Sequence, residues 1–217
     1  MSSAPQTAPV VAPVKSEWAN PAPAGLIALA VACFCFFALL TGKVTTGALP
    51  MLAGWLLGGF VVQVAVAIIE LREGALVGGN IFLFFSAFFM LATALKYLIR
   101  SYIPETALLG ADKMPLEVDH SIDGWAWLVL SLALLLWTPA YLKRSPAMLT
   151  MVILALDIGV PIVALRDLKI LPAATWNAPA GWFLLIAGIF GIYVASAIIV
   201  NDAYGKKLFP MPGPILK

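Results

Sequence analysis

Asn20-Pro21-Ala22-Pro23-Ala24-Gly25-Leu26, running on into an apolar stretch that ends at Leu40, decides the fold. An Asn ahead of a Pro is a helix-start signal. Its side-chain oxygen can accept from a backbone N–H of the first turn, and Pro at the first helical position gives up an N–H that has no partner anyway. The helix that begins here, Gly25 to Leu40, is apolar on every face and reads as a membrane span. Two readings of the start are open. In one, Pro21 and Pro23 remove early orphan donors where water is scarce and each unpaired group is expensive. In the other, the N–H groups of Ala22, Ala24 and Gly25, at the positive end of the helix dipole, meet a small anion in a pore.

The rest of the chain has the same character. Of its 217 residues 62% are hydrophobic and 11% charged, against roughly half and roughly a quarter in a soluble domain. Mean hydropathy is +0.99. The reading is an all-α integral membrane protein whose length suits about six spans of roughly 20 residues, with no room for a separate catalytic domain. A net charge of +2 offers no basic patch for nucleic acid. Cys33 and Cys35 are two apart, on different faces of one helix, which speaks against a disulfide or a metal site. No catalytic triad spacing, paired carboxylates, HExxH or Gly-rich phosphate loop occurs, so an enzyme is the weakest reading and neither metal nor cofactor is expected.

Residues 1–19 are rich in Ala, Pro, Ser and Val and lack a signal-peptide arrangement; a disordered cytoplasmic tail is expected. Residues 20–210 form the six-helix domain and 211–217 a C-terminal tail. The spans are read at 23–41, 48–71, a third from Asn80 to about Tyr102, then 122–142, 146–165 and 181–200. Gly54 and Gly58 in the second have the small-xxx-small spacing that lets a neighbouring helix come close. A loop at 101–121 holds Glu105, Asp112, Glu117, Asp119 and the one histidine, His120, read as solvated. Residues 166–177 connect the last two spans. By this topology Lys15, Arg72, Lys143, Arg144, Lys206, Lys207 and Lys217 lie on one side and Lys43, Arg100, Lys113, Arg166 and Lys169 on the other. Seven against five places both termini in the cytoplasm.

Few polar residues lie within the spans, and each has two readings. Asp157, in the middle of the fifth span, is a proton carrier or the partner of another helix. Lys96 and Arg100, one turn apart, gather anions at an external mouth or snorkel to the interface. Asn80 caps the third span or hydrogen-bonds a substrate. The Phe82 to Phe89 cluster is packing, with Phe85 able to gate by excluding water.

Three stretches taken in order resemble the succinate and acetate permease family of bacteria, archaea and fungi. They are Asn20 to Leu26, with Ala24 where a Leu is common; Gln63 followed by Glu70-Leu71-Arg72-Glu73-Gly74; and Ala180-Gly181-Trp182, Ile192-Tyr193 and Asn201-Asp202-Ala203-Tyr204-Gly205 through Leu208-Phe209-Pro210. The resemblance implies a six-helix protomer in a ring of six in the cytoplasmic membrane, each protomer passing acetate or a similar small carboxylate such as succinate by channel or proton-coupled transport. On the anion reading of the helix start Asn20, Pro21, Ala22 and Pro23 are pore residues, and the resemblance assigns a hydrophobic constriction to Leu29, Phe85 and Leu154. The family commonly has an aromatic residue and a Tyr at the first two of these, so the Tyr hydroxyl donor is missing here. A channel for a neutral solute such as urea and a non-transporting membrane scaffold are the rival readings.

Overall fold

Inside a bilayer no water serves the backbone, so each apolar run must pair its own N–H and C=O groups, which a helix does locally. The computed structural model describes residues 18–103 and 118–217. Among them are six helices long and apolar enough to cross a membrane: α1 (Ala22–Leu40), α2 (Thr46–Arg72), α3 (Leu76–Tyr102), α4 (Ser121–Arg144), α5 (Ala147–Asp167) and α6 (Ala173–Tyr204). The shortest, with 19 residues, rises about 28 Å, close to the roughly 30 Å of hydrocarbon it must cross. Most of the tail read as disordered, and Glu105, Asp112 and Glu117, lie outside the described residues.

Two span boundaries differ from the sequence reading. The third span starts at Leu76, so Asn80 is a full turn inside it and caps nothing; its Nδ2 donates to the Leu76 carbonyl at 2.8 Å. The sixth starts at Ala173, well before Pro179, and the connection shrinks to residues 168–172. Asn177 explains the extension, because its Oδ1 accepts from Arg166 Nη1 at 3.1 Å and pins the first turns of α6 to the end of α5.

The helices form a closed ring. Each packs on its neighbour in the chain, and α6 returns to α1. The weakest seam is α3 against α4, bridged by large side chains: Phe84 on Trp137 with centroids 5.4 Å apart, and Phe89 on Trp127 at 5.7 Å. Glycine sets the closest approaches elsewhere. A Cβ on Gly25 would come within 2.6 Å of the Phe82 ring, and one on Gly124 equally close to the Leu168 backbone, so α3 seats on α1 and the end of α5 on α4 only without them.

Within α3, residues Phe85–Ala92 are wound as a π-helix. Thr93 Oγ1 donates to the carbonyl of Phe88, five residues back, and Ser86 Oγ to that of Leu83. Such wider turns are rare and concentrate at functional positions. Here the segment carries Phe85, Ser86, Phe89 and Met90, all buried.

After α6, Gly205 in the left-handed conformation (φ 60°) stops the helix. The chain then folds back on itself. Asn201 Oδ1 accepts from the N–H groups of Leu208 and Phe209 while its Nδ2 donates to the Phe209 carbonyl, and the Tyr193 hydroxyl donates to that of Pro210. Further on, Ala147 N donates to the carbonyl of Pro212, and Leu216 N to that of Leu142. The Asn201 to Pro210 motif is thus a clasp for the C-terminal segment, a role that its sequence did not reveal.

Candidate functional site

At the end of the ring where α1 begins and the C-terminal segment docks, a cavity of about 300 Å³ opens among α1 to α5. Its walls are apolar, with Leu26 and Leu29 of α1, Phe82 and Phe85 of α3 and Ile153 and Leu156 of α5. Polar groups are few: Gln63 and Glu70 of α2, and Tyr141 and Arg144 of α4 with Ser145 beyond it. The Tyr141 hydroxyl is turned to the Val77 carbonyl, 3.5 Å away.

A second, smaller cavity of about 40 Å³ lies further along the same helix faces. From the first cavity to the second, the lining advances from Leu29 to Phe36 on α1, from Phe85 to Phe89 on α3, and from Leu156 to Val160 on α5. The cavities therefore stack along the bundle, separated by about one to two helical turns of packed side chain. That partition is aromatic. Phe89 meets Phe85 edge-on at 5.3 Å and Phe36 at 5.1 Å, and Phe85 stacks on Phe84 at 4.7 Å.

Two ion pairs surround the smaller cavity. Lys96 Nζ lies 3.0 Å from Asp123 Oδ2 and ties α3 to α4. Arg166 places Nε and Nη2 on Asp167 Oδ1 at 2.8 and 2.6 Å. Beyond them, outside the spans, the Ser121 N–H donates to Asp119 Oδ1 at 3.0 Å. That bond holds the exposed Asp119 carboxyl below the usual carboxylate range.

The family model for the GPR1/FUN34/yaaH family matches residues 3–212. The chain belongs to this family. Membership expected from the three motifs is thereby shown, and so is the all-helical membrane architecture. Among solved structures the chain is similar to one described as the structure of the bacterial acetate channel SatP, at 19% identity, covering 90% of this chain and 99% of that one with a TM-score of 0.75. At that identity the likeness speaks for the fold. No curated protein sequence matches the chain.

Within this family member, the residues singled out from sequence fall into three groups. Ala22, Leu29 and Phe85 line the larger cavity, the last two at its closed end. Asn20 and Pro21 sit at the entrance of α1, where Asn20 Oδ1 accepts the Ala22 N–H at 2.9 Å and the Pro21 carbonyl accepts that of Ala24 at 3.1 Å. These two bonds take two of the three donors of the anion reading, those of Ala22 and Ala24. Pro23 is buried and borders a groove between α1, α2 and α6 instead of either cavity.

The remaining residues face elsewhere. Leu154 lines neither cavity. Ile153 and Leu156 do, because a displacement of one residue on a helix turns a side chain by about 100°. Asn80 lines neither cavity, held by its bond to Leu76. Asp157 faces α4, where its Oδ2 lies 2.5 Å from Thr138 Oγ1, so the partner-of-another-helix reading describes its place. Lys96 lines the smaller cavity, but its charge is already paired with Asp123; Arg100 is exposed. Sequence reasoning overlooked Arg166 and Asp167, placing both in the connection between the last two spans and using Arg166 only in the charge count. Only their closeness to Asn177 and Lys96 in space marks them.

Proposed function

We propose that the protein passes acetate and similarly small carboxylates across the cytoplasmic membrane, each protomer having its own path. The observation that carries this is the pair of stacked, mainly apolar cavities divided by the Phe36, Phe85 and Phe89 rings. A partition of that kind blocks a hydrated ion and yields to a small, weakly hydrated solute when the rings move. Family membership supports the reading, as does the solved structure of similar fold that is described as an acetate channel. Energy favours sharing a proton on the way in. An anion entering against an inside-negative potential faces about 2.3 kcal/mol per 100 mV, which a co-moving proton cancels.

The protomers assemble as a ring of six. Gly54 and Gly58 face outward on α2, with open space where a Cβ would go. Gly58, with Gly59 beside it, borders an apolar groove of about 710 Å³ between α1, α2 and α6. Close helix approach needs such small residues where no hydrophobic effect drives association. The end that carries the larger cavity faces the cytoplasm, following the lysine and arginine excess.

Radiolabelled acetate uptake into proteoliposomes tests this, with succinate and urea as competitors. Uptake above that of bare lipid, reduced by unlabelled acetate and untouched by urea, is expected; vesicles as tight as bare lipid would overturn the proposal. The same assay separates the two readings of Asp157. Because Asp157 faces Thr138 and not the cavities, Asp157→Asn is expected to keep the pH response of uptake. Loss of that response in a normally assembled variant would make Asp157 a proton carrier.

A further inference from the structure

Lys96 stands between two spaces. Its side chain lines the smaller cavity and also a surface groove of about 750 Å³ between α3 and α4, whose walls include Arg100, Asp119, Ile122 and Asp123. Asp123 lines the groove and not the cavity, whereas Arg166 and Asp167 line the cavity and not the groove. The bond from Lys96 Nζ to Asp123 Oδ2, 3.0 Å long, therefore lies on the boundary between the two. It crosses the weakest seam of the ring, α3 against α4.

The two cations on the cavity wall are held differently. Arg166 makes three hydrogen bonds, two to Asp167 and one to Asn177, and only 17% of its side chain is exposed. Lys96 makes one, and 28% of its side chain is exposed. A single ion pair with that much access to water is weakly held, and an ammonium has three donors, of which Asp123 takes one. If Asp123 leaves, the ammonium keeps its place at the cavity. Its Nζ already lies over the Tyr97 ring, 5.5 Å from the centroid, and Tyr97 lines the cavity too.

The group that Lys96 holds has the shape of the proposed substrate. The end of an Asp side chain, a CH2 bearing a carboxylate, is acetate with the protein chain in place of one hydrogen. The cavity of about 40 Å³ beside it takes about three water-sized groups. That suits a carboxylate with a single methyl and leaves no room for a second carboxylate.

We infer that Lys96 is a binding residue for the carboxylate of a short monocarboxylate, which replaces Asp123 on the ammonium and thereby opens the smaller cavity to the groove between α3 and α4. Arg166, tied by its three bonds, stays as the fixed positive charge of the α5 wall. The inference rests on the proposed transport of small carboxylates and adds a site at the end of the path away from the larger cavity. No covalent bond is made or broken, since one carboxylate takes the place of another.

The test uses the full-length protein in liposomes with equal acetate on both sides, so that exchange of labelled acetate reports affinity whichever way the protein is inserted. Lys96→Met is expected to raise the half-saturating acetate concentration about tenfold or more, through loss of a charge-assisted hydrogen bond. Asp123→Asn removes the competitor and is expected to lower it about threefold, the worth of a partly exposed ion pair. Both substitutions break the same pair, so a merely structural pair would move the two variants alike. Shifts in one direction, or no shift in either, overturn the inference and leave the proposed function standing. Lys96→Asp combined with Asp123→Lys keeps a pair between α3 and α4 while taking the cation off the cavity wall, and should match Lys96→Met. Wild-type half-saturation in that double variant would overturn the inference, and the double variant decides should either single one not assemble. Wild-type exchange no faster than in bare liposomes would overturn the proposed function itself.

Discussion

Phe85→Ala is expected to raise the acetate flux of each protomer about tenfold or more, and the flux of the bulkier succinate by a larger factor still. Phe85 closes the end of the larger cavity, and its ring is held by Phe84 on one side and Phe89 on the other. Taking the ring away shortens the dry segment that a solute must cross between the cavities, and lowering that barrier by only about 1.4 kcal/mol multiplies the rate tenfold. The substitution also leaves a hole where an aromatic residue was buried, with a stability loss of about 3–5 kcal/mol. Phe85→Leu is therefore the companion variant, since it keeps much of the volume and should give a smaller rise. Initial rates of labelled acetate and succinate entry into proteoliposomes measure both. An assembled Phe85→Ala variant with the acetate and succinate rates of the wild type would remove Phe85 from the barrier.

The other large effect is expected on stability, at the far end of the bundle. Arg166→Ala removes three hydrogen bonds at once, two to Asp167 Oδ1 and one to Asn177 Oδ1. Both members of the Arg166 and Asp167 pair are largely buried, with 17% of each side chain exposed. Removing one leaves the Asp167 carboxylate uncompensated, for which a loss of about 3 kcal/mol is expected. Arg166→Ala combined with Asp167→Asn leaves no stranded charge and should recover most of that loss. Unfolding in detergent, followed for the single and the double variant, checks this. Equal destabilisation of the two would place the cost in the lost anchor to α6 and not in the charge.

The sequence disclosed the spans because hydropathy over twenty residues survives local detail. Five of the six are placed within a few residues of the helices observed. The sixth ran short because Trp176, Asn177 and Pro179 interrupt the apolar pattern, whereas the bond from Arg166 to Asn177 carries the helix through them. Leu29 and Phe85 were legible as lining residues through the family resemblance. Leu154 was not, since an offset of one residue is invisible in an apolar run and decisive on a helix. The π-winding of Phe85–Ala92 has no pattern of its own in the sequence, and its Phe89 packs against rings of α1 and α4 that lie far away along the chain. The pairings of Asp157 with Thr138 and Lys96 with Asp123 join residues 19 and 27 positions apart on different helices, which spacing along one helix cannot anticipate.

The larger cavity is the proposed route of the solute. Leu149, part-buried on its wall, can be replaced by Cys in a background with Cys33→Ser and Cys35→Ser, the two free cysteines. Reaction with a charged methanethiosulfonate, which joins the thiol as a mixed disulfide and releases methanesulfinate, is then followed by mass spectrometry and by acetate flux. Full labelling at position 149 is predicted to bring flux down to that of bare liposomes, and a reducing agent to restore it. Full labelling with unchanged flux would contradict the claim that acetate passes through this cavity.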